Sequence, residues 1–212
     1  MDTIKLRTKK DLHLLRKLWH TSTGCIGLYF VFRSSLPPQN FGVLLLLIGV
    51  VGLSLDWIRL KKPAINKQLL KVYQPFMRQS EVHSVTGLPF YAFGTGLSLI
   101  LFPFPIALLS CLYLIFCDPV SSIVGNLFGK NKIYKNKTLE GFIGNFISAV
   151  FITTGHGLFY GMQTVDLLSW VLIGAILSAT VELLSGRVDD NFAIPVFSGL
   201  GLYIFNQVFS FL

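Results

Sequence analysis

An acid, two glycines and four lysines follow one another in the polar stretch 117–141, CDPVSSIVGNLFGKNKIYKNKTLEG. Asp118 comes directly after an apolar run. Gly125 and Gly129 stand four apart, and Lys130, Lys132, Lys135 and Lys137 lead to a Lys-Thr-x-Glu-Gly ending at Gly141. A carboxylate for a metal ion, glycines that let backbone N–H groups approach an anion, and lysines to neutralise it are the parts of a polyphosphate site. The same residues also fit a basic membrane-surface loop whose Gly125 and Gly129 make a small-xxx-small helix contact. GNLFGKN is not a Walker A loop, because it lacks both the four-residue gap between glycines and the Lys-Ser/Thr ending.

Phosphoryl transfer asks mostly for positioning and charge neutralisation, and Mg²⁺ favours carboxylates together with phosphate oxygens. Asp118, Asp189 and Asp190 are the acids best placed for such an ion. Each also has a structural reading: Asp118 as the cap of a helix opening at Pro119, and Asp189 and Asp190 as a turn before Asn191. Lys137 is the lysine expected to reach phosphates. Thr138 is expected to cap the next helix, whose positive end would add to the site. Glu140 suits that helix's first turn, and could instead orient Lys137 or bind metal. Lys130, Lys132 and Lys135 read as lipid-headgroup contacts. An acceptor hydroxyl needs a base, for which Asp190, Glu182 and His20 are candidates. The spacing leaves that choice open.

These groups must be held by membrane helices. Of the 212 residues, 52% are hydrophobic and 13% charged, with mean hydropathy +0.63, the composition of an integral membrane protein and not of a soluble domain. The expected fold class is all-α, a single polytopic domain over 1–212 with about seven transmembrane helices. Apolar runs place them near residues 20–32, 41–58, 85–102, 104–116, 142–160, 167–184 and 192–212. A basic segment, 1–19, precedes the first. Between the second and third, 59–84 reads as an interfacial amphipathic helix broken near Pro75, or as a plain connecting helix. No cleavable signal peptide is evident. Cys25, Cys111 and Cys117 lack metal spacing and read as buried thiols. No internal repeat stands out.

Net charge is +8, and its distribution argues against nucleic acid and for membrane phospholipid and an anionic substrate. Segments 1–19, 59–84, 117–141 and 185–191 carry every Lys and Arg except Arg33. Seven spans with a cytoplasmic N-terminus put all four on the cytoplasmic face and the C-terminus on the opposite side. Asp56, Glu81, Asp118, Glu140, Glu182, Asp189 and Asp190 then lie at that same boundary, and the mid-membrane is expected to hold no ionisable group. An ion relay would place some there. A site where a soluble nucleotide meets a membrane-dissolved lipid places them at the boundary.

The pattern Asp118-x-x-Ser121-x-x-x-Gly125-x-x-x-Gly129, then Lys137-Thr138-x-Glu140-Gly141, resembles the nucleotide motif of the CTP-dependent lipid kinases. That family includes dolichol kinase, phytol kinase and CTP-dependent diacylglycerol kinases, and is related to phosphatidate cytidylyltransferase. ELLSGRVDDNFAIP, residues 182–195, is similar to the family's Glu…Asp-Asp-Asn-x-x-Ile-Pro block, which takes in Glu182, Asp189, Asp190 and Asn191. Arg16-Lys17-x-x-His20 resembles its N-terminal block, and Arg78-x-x-Glu81 followed by Thr86-Gly87 also fits. The blocks keep the family's order over most of the chain. They depart from it at Cys117, where glycine is usual, at Ser121, where alanine is common, and at Asn136, where dolichol kinases tend to have lysine. The resemblance implies transfer of the γ-phosphoryl of CTP, with Mg²⁺ or another divalent cation, to a lipid alcohol such as diacylglycerol, dolichol, another polyprenol or phytol. The 117–141 residues and the acidic block would form the CTP·Mg²⁺ site. Arg16, Lys17, His20, Arg78, Glu81 and Asn191 would stand on its lipid side or support it. Phosphatidate cytidylyltransferase, making CDP-diacylglycerol, is the alternative, although its C-terminal Lys-Asp and His-Gly-Gly…Asp-Arg…Asp signature is missing. A transporter or scaffold is a remoter one, for which repeats or mid-membrane polar groups would be expected.

Overall fold

The computed structural model describes residues 14–73, 77 and 79–210. The basic segment 1–13 and Pro75, the expected helix break, lie outside the described residues. What is described is all-α apart from one small hairpin. Helix α1 runs Leu14–Arg33, α2 Pro38–Lys61, α3 Pro63–Tyr73 and α4 Gly87–Leu101. Then come α5 Phe104–Leu112 and α6 Asp118–Phe128, strands β1 Lys132–Tyr134 and β2 Lys137–Thr138, α7 Leu139–Phe159 and α8 Thr164–Leu184. The short α9, Asp190–Ala193, and α10, Gly199–Phe209, close the described chain.

Among the described residues, five helical stretches are long and apolar enough to cross a membrane: Pro38–Lys61, Phe104–Phe128, Leu139–Phe159, Thr164–Leu184 and Asp190–Phe209. The expectation of about seven spans adds α1 and α4; of these, α4 is apolar but only 15 residues long. The Phe104–Phe128 rod is 72% buried, against 22–33% for the other four, so it is the axis on which the rest pack. Ile106, Leu109, Tyr113, Leu114 and Cys117 from this rod meet Ala149, Trp170, Ala175, Ile194 and Leu202 in the core.

The rod corrects one expectation. Residues 117–141 do not form a polar loop throughout, because the helix runs on through Asp118 to Phe128 and the irregular part shortens to 129–138. Pro119 has no N–H to give the carbonyl of Ile115. The chain accommodates this by a π-helical turn over Tyr113–Cys117, in which the Asp118 N–H reaches Tyr113 O and leaves Leu114 O free. Helix α1 supplies both missing donors: His20 Nε2 lies 3.0 Å from Leu114 O, and Thr21 Oγ1 donates to Ile115 O at 3.0 Å. Asp118 therefore sits inside a long helix and is not its cap. A second π turn, Ile194–Ser198, accompanies Pro195 between α9 and α10.

The mid-membrane is not wholly apolar. Tyr113 pairs with Thr153 at 2.7 Å and Ser178 with Asn145 at 2.8 Å. One ionisable group that the sequence reading overlooked, His156, is buried near the far end of α7, against Pro105 O at 2.8 Å. The charged pairs all gather at the other end of the bundle.

Helix α2 shows the core a single stripe, Gly42, Gly49, Gly52, Asp56 and Arg59. Its partner α4 has its own close contact: a Cβ on Gly94 would press into the carbonyl of Asn191 and come within 2.8 Å of Phe192 Cα. We predict that Gly94→Val forces α9 away from α4 and lowers the thermal midpoint in detergent by roughly 5–10 °C. Gly155→Val, where a side chain meets nothing within 4 Å, should leave it within about 2 °C. Equal midpoints would show that the α4–α9 contact yields without cost.

Candidate active site

The α6–α7 connection starts with close packing. A Cβ on Gly125 would lie 3.1 Å from Thr138 Oγ1, and one on Gly141 would lie 3.1 Å from Ser121 O and 3.4 Å from Gly125 Cα. Gly129 is as tight, with Thr138 Cγ2 2.8 Å from its missing Cβ, and its N–H bonds Gly125 O. These glycines let α6 lie against the start of α7. Thr138 caps α7 as expected, accepting from the Gly141 N–H at 3.2 Å.

The antiparallel β1–β2 hairpin turns at Lys135, whose φ is 49°. Lys135 was read as a headgroup contact; its Nζ instead donates to Gly186 O at 2.7 Å, pinning the hairpin to the segment after α8. Lys137, on β2, then points between α8 and α9. Its Nζ lies 2.5 Å from Glu182 Oε1 and 3.1 Å from Asp190 Oδ2. Ser185 contacts both the Glu182 carbonyl and the second oxygen of Asp190. Burial alone would lower the Lys137 pKa. The carboxylates of Asp190, Glu182 and Asp118 outweigh that and hold the ammonium well above the usual lysine range.

Asp118 and Ser121 are buried on α6, and Asp118 Oδ2 accepts from Lys17 Nζ of α1 at 2.9 Å. The preceding residue, Arg16, pairs with Glu81 at 2.8 Å. Asn191 Nδ2 donates to Gly87 O at 3.3 Å, so α9 is tied to the start of α4 beside Asp190. Thus Lys17, Asp118, Lys137, Glu182 and Asp190, which come from α1, α6, β2, α8 and α9, meet in one cluster, with Arg16, Glu81 and Asn191 at its side.

Two expected residues stand apart from it, and a third, His20, borders it beside Asp118 and Lys17 without joining its ion pairs. The Glu140 carboxylate accepts from the Asn131 N–H and Nδ2, tying the hairpin to α7 instead of orienting Lys137. Asp189 caps α9, accepting from the Asn191 N–H at 3.0 Å. His20 faces the π turn and stacks edge-on against Tyr91. Arg78 lies outside the described residues. Among those described, no three His, Cys, Asp or Glu side chains converge as a ready cation site.

Sequence reasoning missed Ser185 and the role of α2. Asp56 and Arg59 are buried and paired at 2.6 Å, and Arg59 also reaches Asn66, Glu81 O and Ser84 O. The signal was in the sequence: Gly49, Gly52, Asp56 and Arg59 follow at steps of three and four, which puts the ion pair on the glycine face of α2.

The motif blocks thus meet in space as well as in order. The chain is 34% identical to a CTP-dependent diacylglycerol kinase of Schizosaccharomyces pombe, over 92% of this chain and 94% of that protein. It belongs to the CTP-dependent lipid kinase family. A CTP-dependent diacylglycerol kinase of Eremothecium gossypii is 30% identical over 89% of this chain, which spans 65% of that protein. A chloroplastic phytol kinase of Arabidopsis thaliana is 25% identical over 90% of this chain and 66% of its own length. No protein-family model matches the chain. No solved structure matches it either.

The pairing makes a stability prediction. Lys137→Met leaves Glu182, whose side chain is 3% exposed, as a buried charge without its cation. It should cost on the order of 3 kcal/mol, read as a lower thermal midpoint in detergent. Adding Glu182→Gln to that variant should recover most of the loss. A double variant no more stable than Lys137→Met would mean that the pair is not what holds β2 to α8.

Proposed function

We propose that this membrane enzyme transfers the γ-phosphoryl group of CTP to the hydroxyl of diacylglycerol at the cytoplasmic face of its membrane. The observation that carries the reading is the Lys17–Asp118 and Lys137–Glu182–Asp190 cluster, built at one end of the bundle from the residues of all three motif blocks. Diacylglycerol is chosen over phytol or a polyprenol because the relatives matched at 30% identity or more carry that name, whereas the phytol kinase is at 25%. Nothing in the geometry favours the cytidylyltransferase reading.

The roles follow from charge and exposure. Lys17 exchanges Asp118 for phosphate oxygens of CTP, and Lys137, still held by Glu182, turns from Asp190 to them. The α6–α7 glycines and the Thr138 cap hold the start of α7 beside the same phosphates, where the positive end of the helix adds to the site. A divalent cation fits Asp118 together with phosphate oxygens and water, since Mg²⁺ needs only one or two protein carboxylates beside its substrate; bound there, it would neutralise charge on the phosphoryl group being transferred. Asp190 has the most open carboxylate of the cluster, 18% exposed against 7% for Asp118 and 3% for Glu182. It accepts the hydroxyl proton. The lipid oxygen bonds to the γ-phosphorus, the bond to the β-phosphate oxygen breaks, and CDP leaves. Glu182 holds Lys137 in place.

The purified protein in diacylglycerol-containing vesicles should move label from γ-labelled CTP, and not from α-labelled CTP, into phosphatidate. Asp118→Asn and Asp190→Asn should each lower that rate about a hundredfold or more while leaving insertion intact. Entry of α-label with phosphatidate as acceptor would establish the cytidylyltransferase instead.

The same reading fixes the topology. Counting α1 and α4 as spans gives seven crossings, with the charged end and α3 facing the cytoplasm and the C-terminus opposite. Cysteines placed at Lys62 and Asn131 should be labelled from the cytoplasmic side, and one at Gln163 from the other. Labelling of Asn131 and Gln163 from one side would break the seven-span arrangement.

A further inference from the structure

Buried in the last turns of α2 is an ion pair that the proposed reaction does not use, yet four of the five N–H donors of its guanidinium and both oxygens of its carboxylate are hydrogen-bonded. Arg59 Nε donates to Asp56 Oδ1 at 2.6 Å, and Nη1 donates to Asn66 Oδ1 of α3 at 3.1 Å. Nη2 donates to two carbonyls, Glu81 O at 3.0 Å and Ser84 O at 2.6 Å. Asp56 Oδ2 accepts from both the N–H and the hydroxyl of Thr86 at 2.8 Å. Asn66 Nδ2 adds a bond to Val82 O at 3.2 Å. Three carbonyls and one amide of residues 81–86 are thus fixed from α2 and α3, in a connection that would otherwise leave them to water.

Two contacts leave that connection toward the cluster. The Glu81 side chain holds Arg16 at 2.8 Å, and the next residue, Lys17, holds Asp118. Gly87, directly after Thr86, accepts from Asn191 Nδ2, and the next-door residue Asp190 holds Lys137. Both routes converge at Gly87, where a Cβ would lie 2.6 Å from Asn191 Nδ2 and 2.9 Å from Arg16 Nη2. The connection therefore sets the position of α1 on one side of the cluster and of α9 on the other.

We propose that Asp56 and Arg59 are positioning residues for phosphoryl transfer: they fix residues 81–87 so that Glu81 places Arg16–Lys17 against Asp118 and Gly87 places Asn191–Asp190 against Lys137. The guanidinium is suited to this, because its rigid fork serves four acceptors at once where a lysine ammonium would keep the charge and lose the fork. The proposal rests on the lipid kinase reading for its rate effect, and its geometric part stands independently of it.

The test uses the full-length protein in diacylglycerol vesicles with Arg59→Lys, Glu81→Gln and the double variant. Arg59→Lys should lower kcat about tenfold to a hundredfold, with KM for CTP within about threefold, and it should remain folded. Because both changes act through one route, the double variant should lose no more than the worse single one. Losses that multiply, or an unchanged kcat, overturn the proposal. Hydrogen exchange decides the geometric part without any reaction. In Arg59→Lys, amides in 79–90, at 15–20 in α1 and at 189–193 around α9 should exchange faster, with α7 unchanged. Faster exchange confined to 79–90 overturns the relay. If the wild-type protein moves no γ-label, the kinase reading fails, and the exchange pattern still decides whether the pair positions α1 and α9.

Discussion

Carboxylates taken out of water at a membrane edge need cations, and this requirement shapes the whole charged end of the bundle. Asp56, Glu81, Asp118 and Glu182 are all buried. A buried carboxylate without a partner costs several kcal/mol, enough to threaten a fold of ordinary stability. Among the described pairs, Asp56–Arg59 lies within one helix. The others are answered from far along the chain: Arg16 for Glu81, Lys17 for Asp118 and Lys137 for Glu182 lie 65, 101 and 45 residues from their partners. Ion pairs are poor sources of net stability, but breaking one is expensive. They therefore act as registration devices. Helices that could slide along lipid-like surfaces are fixed where the charges meet, and apolar packing fills in below.

The prolines at 119 and 195 serve that registration. Each removes a backbone donor inside a long helix; a π turn precedes Pro119 and another contains Pro195, and each shifts the hydrogen-bond ladder. At the first, the freed carbonyls are taken up by His20 and Thr21 of α1, one turn beyond Lys17. The ion pair to Asp118 and the two bonds to the π turn thus hold α1 to the central rod along one face. His20, a candidate base from its motif, has in this structure a backbone carbonyl to satisfy.

Much of this was legible in the sequence, for identifiable reasons. Apolar runs and the clustering of basic residues carry the membrane class and most helices, since composition alone sets the cost of leaving them in water. The motif blocks carry the family, and Thr138 as a cap follows from local chemistry. The continuity of the Phe104–Phe128 rod was not legible, because Asp-Pro after an apolar run is also how a helix begins. Only α1, some ninety residues away in sequence, supplies the donors that let the helix continue. The Lys137 pairing with Glu182 and Asp190 was equally hidden. Residue type names the participants, but the hairpin pinned through Lys135 and Gly186 decides where Lys137 points. Arg59 was overlooked for a different reason: a charged residue near a helix end is ordinarily solvated, and its burial shows only when read with the glycine stripe that precedes it.

The resting charge of the cluster bears on how the proposed reaction would start. Among the described residues, Arg16, Lys17 and Lys137 face Glu81, Asp118, Glu182 and Asp190. Such a site is closed in on itself, and its carboxylates would repel a bare nucleoside triphosphate in a medium of low dielectric. A triphosphate already carrying a divalent cation meets different terms. Asp118 would hold such a cation as Lys17 turned to phosphate, so that neither charge would be left buried alone. In the proposed reaction, the lysines and carboxylates that register the helices in the free protein would be the same groups that meet a metal-bound nucleotide. The exchange needs the helices to stay in place while the pairs reshuffle, which is what an independent tether through α2 and the π-turn contacts of α1 provide.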